Sequence, residues 1–208
     1  MKVNIVEHNK GIRPQIKLRV QRVEANVWED LSFHVHHYRT KKLNKSSKCF
    51  VFYWEDKVVG FCAVLHAPKR NMSNALSISR LVVLPQFHGL NIGSIICNFV
   101  GGIFKNEGYK LYIKTVNMAI GNYFNTHTDV WRATVYNQKF RPRNMDESKY
   151  RNRIASKSFC HEYCGKEITG YEDMLLSVSE MRKNRQSLNI NHNNDMDNLQ
   201  TESAATMT

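Results

Sequence analysis

The chain has 208 residues, 42% of them hydrophobic, enough for one α/β domain with a real core and a short tail. Its 30 Lys and Arg against 18 Asp and Glu give a formal net charge of +12, which favours a polyanionic partner or an anionic cofactor. Five cysteines (Cys49, Cys62, Cys97, Cys160, Cys164) are an odd set that argues against a disulfide framework, and no apolar run suits a membrane span or signal peptide, so a reduced, cytoplasmic protein is expected.

In chain order, residues 3–6 read as a short edge strand. Ile16, Leu18 and Val20 then alternate with Lys17, Arg19 and Gln21, the period of a half-buried strand. At 24–37 the period changes: Val27, Leu31 and His34 or Val35 share a face with Trp28, which predicts a short helix. A basic linker covers 39–48. Residues 49–54 are aromatic and β-branched, 55–57 form a polar hairpin turn, and 58–66 return with Gly60 as a bulge. A loop at 67–74 leads into a strand at 76–84.

The next stretch organises the rest. Leu81 to Leu84 is an apolar run that Pro85 stops. His88-Gly89-Leu90-Asn91-Ile92-Gly93-Ser94 is a compact turn of small residues. Ile92, Ile95, Ile96, Phe99, Val100, Ile103 and Phe104 then recur at helical spacing, and Gly108 supplies the C-terminal cap. Strand, glycine turn and helix together put free backbone N–H groups at the positive end of a helix dipole, a place suited to phosphate. Asn91 is the next-best residue after glycine for a positive φ in that turn.

Beyond it, 110–116 reads as a strand, 117–127 as a helix and 130–136 as another strand. Residues 139–157 carry seven Lys and Arg together with Phe140 and Tyr150, a composition suited to phosphate contact and base stacking, with a solvated loop as the alternative. A last strand is expected at 158–164 and a short helix at 172–182. The domain therefore covers 1–183, and the Asn-, Ser- and Thr-rich stretch 184–208 is expected to be a disordered tail. No internal repeat is present, and no Walker A loop.

Two polar clusters stand apart. His34, His36, His37 and Tyr38 place four polar rings in five residues; the spacing suits a metal pair or a general base, or a surface helix end. For His34 and His36 the helix end is preferred. Cys160-His161-Glu162-Tyr163-Cys164 lacks a zinc-finger spacing and a second ligand pair, so no metal is assigned and the segment is read as strand.

The 78–108 stretch resembles motif A of the GNAT acyltransferase superfamily, in which a strand ending in V-x-P leads into a Q/R-x-x-G-x-G/A loop. His88 stands where Gln or Arg is usual, and Asn91 where a glycine is usual. Over roughly 14–165 the element order also resembles that of the GNAT fold: an α/β (α+β) mixed sheet, twisted, with helices on both faces. The resemblance implies acetyl-CoA or another acyl-CoA as cofactor. Leu81, Val82, Val83 and Leu84 would grip its pantetheine arm, with free N–H groups near Val83 and Leu84 polarising the thioester carbonyl. His88, Gly89, Leu90, Asn91, Ile92, Gly93 and Ser94 would hold its diphosphate. The 117–124 segment resembles the GNAT N-x-x-A…Tyr motif, one residue short; it implies a cofactor role for Asn117 and makes Tyr123 the acid for the leaving thiolate, a phenol being matched in basicity to a thiol.

His37-Tyr38 ahead of the first hairpin also resembles the Mom-like branch of this fold, whose members modify DNA adenine in phages; the resemblance implies His37 and Tyr38 as active-site residues, with Asp129 as the distal acid. Phe33 to Tyr38 and the stretches 49–65, 79–93 and 158–165 resemble GNAT-like domains fused to ABC-type ATPases. The expected function is therefore acyl transfer to an amino group, with a nucleic-acid base of DNA as favoured acceptor through 139–157. The alternatives are an N-acetyltransferase of a protein or small-molecule amine, and a degenerate domain that only binds or inhibits.

Overall fold

The computed structural model describes residues 16–37, 42–67, 72–139, 158–175 and 180. Among the described residues, ten strands and α-helices run in chain order: β1 (Leu18–Val23), α1 (Val27–Asp30), β2 (Lys48–Trp54), β3 (Lys57–His66), β4 (Ala75–Val83), α2 (Ile92–Asn106), β5 (Lys110–Thr115), α3 (Met118–Thr126), β6 (Trp131–Ala133) and β7 (Phe159–Tyr163). The strands form one seven-stranded sheet in the order β1-β2-β3-β4-β5-β7-β6. Among the described strands only β4 and β5 pair parallel, with α2 as the crossover; every other neighbour is antiparallel. The mixed sheet with helices on both faces is the expected architecture.

The sheet is buried on both sides. On one face α2 lays Ile92, Ile96, Val100 and Ile103 against Phe50, Phe52, Cys62 and Ile113, and α3 adds Phe124. On the other, Trp28 and Phe33, both fully buried, pack on Val51, Phe61 and Val82. Each large apolar side chain so enclosed contributes about 1.5–3 kcal/mol. The α3 helix sits close because Gly121 has no Cβ: one placed there would lie 2.3 Å from the Phe159 ring.

Several expectations shift. The helix read over 24–37 is only α1, because Ser32 takes a left-handed φ of 56° and the chain resumes as a 3-10 turn at Phe33–His36. The bulge expected at Gly60 falls beside it, since Phe52 pairs with Gly60 and Tyr53 with Val58. The strand read over 130–136 stops at Ala133, where Asn137 N–H turns back to Thr134 C=O at 2.9 Å. Residues 172–175 form a 3-10 turn. The edge strand at 3–6, the basic segment from 140 to 157 and the tail lie outside the described residues.

Candidate active site

The site starts from an irregularity in β4. Ala63 pairs with Arg80 and Val64 with Ile78, so Ser79 is an extra residue, and its hydroxyl donates to Ala63 C=O at 3.1 Å. Such a bulge bends the strand. Pairing with β5 ends at the same level, at Ile78 opposite Ile113. Past it, the two strands part around a cleft of about 720 Å³, lined by Ser79 to Val83 on one side and Ile113 to Asn117 on the other.

Backbone direction along the free edge follows from one bond. Leu84 N–H donates to Val59 C=O at 2.9 Å. Ladder alternation then turns the N–H and C=O of Val83 and Leu81 away from β3, toward the cleft. Of the free N–H groups expected near Val83 and Leu84, that of Leu84 is committed to β3, and Leu84, an expected cofactor contact, does not line the cleft.

At the end of this edge, Pro85–Phe87 forms a 3-10 turn, Gly89 takes φ 82° and Asn91 φ 62°. Asn91 thus fills the left-handed position that glycine would take, and its side-chain carbonyl accepts the Ser94 hydroxyl. From Gly89 through Ser94, six consecutive backbone N–H groups have no hydrogen-bond partner among the described residues. They gather at the N-terminus of the 15-residue α2, where dipole and donors favour an anion. A diphosphate fits this row, with the free β4 edge running from it along the cleft. His88 does something else: its Nε2 lies 2.8 Å from Val83 C=O, so it must carry the proton and donate there.

Tyr123 reaches the cleft from α3, as does Asn117, whose side chain caps that helix by accepting Ile120 N–H at 3.2 Å. The Tyr123 hydroxyl accepts from Asn98 Nδ2 at 2.8 Å, and Asn98 Oδ1 accepts from Trp131 Nε1 at 2.7 Å. On the opposite side of the sheet, His36 and His37 line the cleft, with His37 edge-on to Trp28 at 5.7 Å. Arg80, 9% exposed, lies over the Trp28 ring and donates to Lys42 C=O at 3.2 Å. The charged or titratable side chains among the described lining residues are His36, His37, Arg80, His88, Lys114 and Tyr123, and no Asp or Glu is among them.

Tyr38 lies outside the described residues. Asp129 is exposed in the turn before β6, away from the cleft lining, and its C=O takes the Cys164 thiol at 3.6 Å. The His37–Asp129 pairing implied by the Mom-like resemblance is therefore not brought together. Leu90 also falls outside the lining, although its N–H belongs to the free row. Neither Asn98 nor Trp131 is among the site residues expected from the sequence. Asn98, a polar residue among the apolar positions of α2, was the available signal; nothing in the sequence tied Trp131 to it.

Comparison with known proteins agrees with this geometry. The family model for the acetyltransferase (GNAT) family matches residues 16–123. Among solved structures, the chain is similar to an IAA acetyltransferase from Bacillus cereus ATCC 14579 at 15% identity and a TM-score of 0.50, covering 73% of this chain and 100% of that one. It is likewise similar to the ribosomal-protein-S18-alanine N-acetyltransferase from Escherichia coli at 10% identity and a TM-score of 0.50, over 74% of this chain and 97% of that one. At such identities the likeness is one of fold. No curated protein matches the sequence. The profile match spans more than half of the 208 residues, and the chain belongs to the GNAT acetyltransferase family.

Proposed function

We propose that this protein transfers the acyl group of acetyl-CoA to a weakly basic amine on an anionic acceptor, a nucleic-acid base being the favoured class. The family match carries the acyl transfer from acetyl-CoA. The acceptor class rests on one observation: among its described lining residues the cleft has Arg80, Lys114 and three histidines but no carboxylate. An alkyl ammonium would be repelled by that lining and would meet no carboxylate among its described residues to take its proton. An amine already neutral at pH 7, carried on a polyanion, meets neither obstacle, and the net charge of +12 supports its approach.

Placement supports one set of roles. When bound, acetyl-CoA supplies an acyl group already activated as a thioester. The N–H row of 89–94 holds its diphosphate end, and Val83 N–H donates to the carbonyl oxygen as charge develops there. His37, on the acceptor side, takes the proton that the amine sheds. Tyr123 returns one to the departing thiolate.

The test is nucleoside mass spectrometry after incubation of the full chain with acetyl-CoA and single- or double-stranded oligonucleotides. Acetylated nucleosides are expected. Unmodified nucleosides alongside acetylated peptides or polyamines would overturn the acceptor assignment in favour of a protein or small-molecule amine. A second reading, a domain that no longer binds the donor, is favoured by His88 covering Val83 C=O. Calorimetry with acetyl-CoA separates it, since that reading requires no binding heat.

A further inference from the structure

The structure assigns Asn98, held by Trp131, as a positioning residue that turns the Tyr123 phenolic proton into the cleft. The inference rests on the reading of Tyr123 as the proton donor to the departing thiolate.

The argument runs from a donor with no choice. An indole N–H can only donate, so the Asn98 atom 2.7 Å from Trp131 Nε1 is the carbonyl oxygen. Trp131 is fully buried beneath Phe124 and Tyr163, at ring distances of 4.3 and 5.2 Å, so the indole direction is fixed by packing. The Asn98 amide is thereby oriented with Nδ2 toward Tyr123, 2.8 Å from its hydroxyl oxygen. An NH₂ group can only donate, so the phenol accepts along that axis. Its own proton must point elsewhere, and it meets no acceptor among the described residues. Tyr123 lines the cleft. A half-buried phenol with one lone pair occupied and its proton unclaimed is prepared to donate to a ligand atom there. The Tyr123 ring is stacked on that of His127, with centroids 4.0 Å apart.

In the transfer itself, the amine nitrogen bonds to the acyl carbon and the carbon–sulfur bond breaks. The sulfur takes the Tyr123 proton, and the amine proton leaves to the base. The tyrosinate oxygen keeps the Asn98 N–H bond, which becomes charge-assisted at that moment.

Asn98→Asp is the decisive change. A carboxylate still accepts from Trp131 at the same place but cannot donate to Tyr123, so the phenol turns its proton inward. The readout is binding, by calorimetry, of CoA and of desulfo-CoA, which lacks only the sulfur. The wild-type chain is expected to prefer CoA by about fivefold, the worth of one ordinary net hydrogen bond. Asn98→Asp and Tyr123→Phe should each bring that ratio to about one, leave desulfo-CoA affinity unchanged, and give no further change when combined. Trp131→Phe keeps the ring, frees the amide to flip, and should lower the ratio as well; it serves if the aspartate variant melts early. If Tyr123→Phe loses the preference while Asn98→Asp and Trp131→Phe keep it, the positioning role is overturned and the acid stands. Should Tyr123→Phe keep the preference, both fall together.

Discussion

The Leu84 N–H is bonded to the Val59 carbonyl at 2.9 Å, and this contact decides which way Val83 faces. In an antiparallel ladder consecutive residues present their polar groups to opposite edges. With Leu84 turned to β3, Val83 is turned to the gap that opens where β4 and β5 stop pairing. The bulge at Ser79 and the end of the β5 ladder fall together, so strand bending and donor presentation share one origin.

Replacing the Val83 amide by an ester removes the N–H without touching the side chain. We expect kcat/KM for acyl transfer to fall about 100-fold, the scale of losing one oxyanion donor. Stability should drop by only about 1 kcal/mol, through the weakened Val82 carbonyl. Turnover of acetyl-CoA with hydroxylamine as a small surrogate acceptor, together with a thermal melt, measures both. An ester variant that retains full turnover would show that the carbonyl does not dock on this edge.

His88 occupies a position that in the family usually carries Gln or Arg, and it spends its Nε2–H on Val83 C=O. It therefore covers an acceptor on the donor-binding edge instead of reaching for the diphosphate. His88→Ala is expected to tighten acetyl-CoA binding by about two- to fivefold, since no ring must be displaced. His88→Arg should tighten it further by adding a cation near the phosphates. Calorimetry at low ionic strength reads the sign. Weaker binding in His88→Ala would mean that the ring is itself a phosphate contact.

The fold and the turn were legible because their signals are local. Pro85, Gly89 and Gly93 mark the turn, and the period of Ile92, Ile96, Val100 and Ile103 marks α2, all within one short window. The Tyr123 environment was not legible. Asn98 is 25 residues from Tyr123 and Trp131 is 33 from Asn98, and only helix packing brings the three together. Val83 and Leu84 differ for a related reason: consecutive strand residues face opposite edges, and which of the two faces the gap depends on the bulge at Ser79, which no local sequence signal marks. The order along the chain that the Mom-like resemblance uses for Asp129 carries no distance information, and the turn before β6 holds it at the surface.

Asn91 sits at φ 62° with the Ser94 hydroxyl on its side chain. Asn91→Gly should change the melting temperature little, because glycine takes that φ freely while losing the side-chain bond. Asn91→Val, β-branched at a left-handed position, should cost about 1–2 kcal/mol and weaken acetyl-CoA binding as the N–H row tilts. Thermal melts with and without acetyl-CoA check both. A valine variant as stable as the parent would mean that the turn relaxes without strain.

His161 sets a pH dependence that has nothing to do with turnover. It is 1% exposed, with Nε2 on Asn125 Oδ1 at 2.9 Å. That same oxygen accepts from Asn137 Nδ2 at 3.0 Å, so the atom facing the histidine is an acceptor and Nε2 carries the proton. Nδ1 is buried without a partner among the described residues, so protonating it would add an unpaired N–H as well as a charge. Burial accordingly pushes the pKa down from its ordinary 6.5. Below pH 6.5 the unfolded chain then binds a proton that the native chain refuses, so this contribution is complete above 6.5 and is lost as the pH falls toward the lowered native value. His161→Gln keeps a donor for Asn125 and removes the titration. The melting temperature of the wild-type chain should fall more steeply as the pH drops below about 6.5 than that of the glutamine variant. Parallel slopes in the two proteins would show that His161 is accommodated in its charged form.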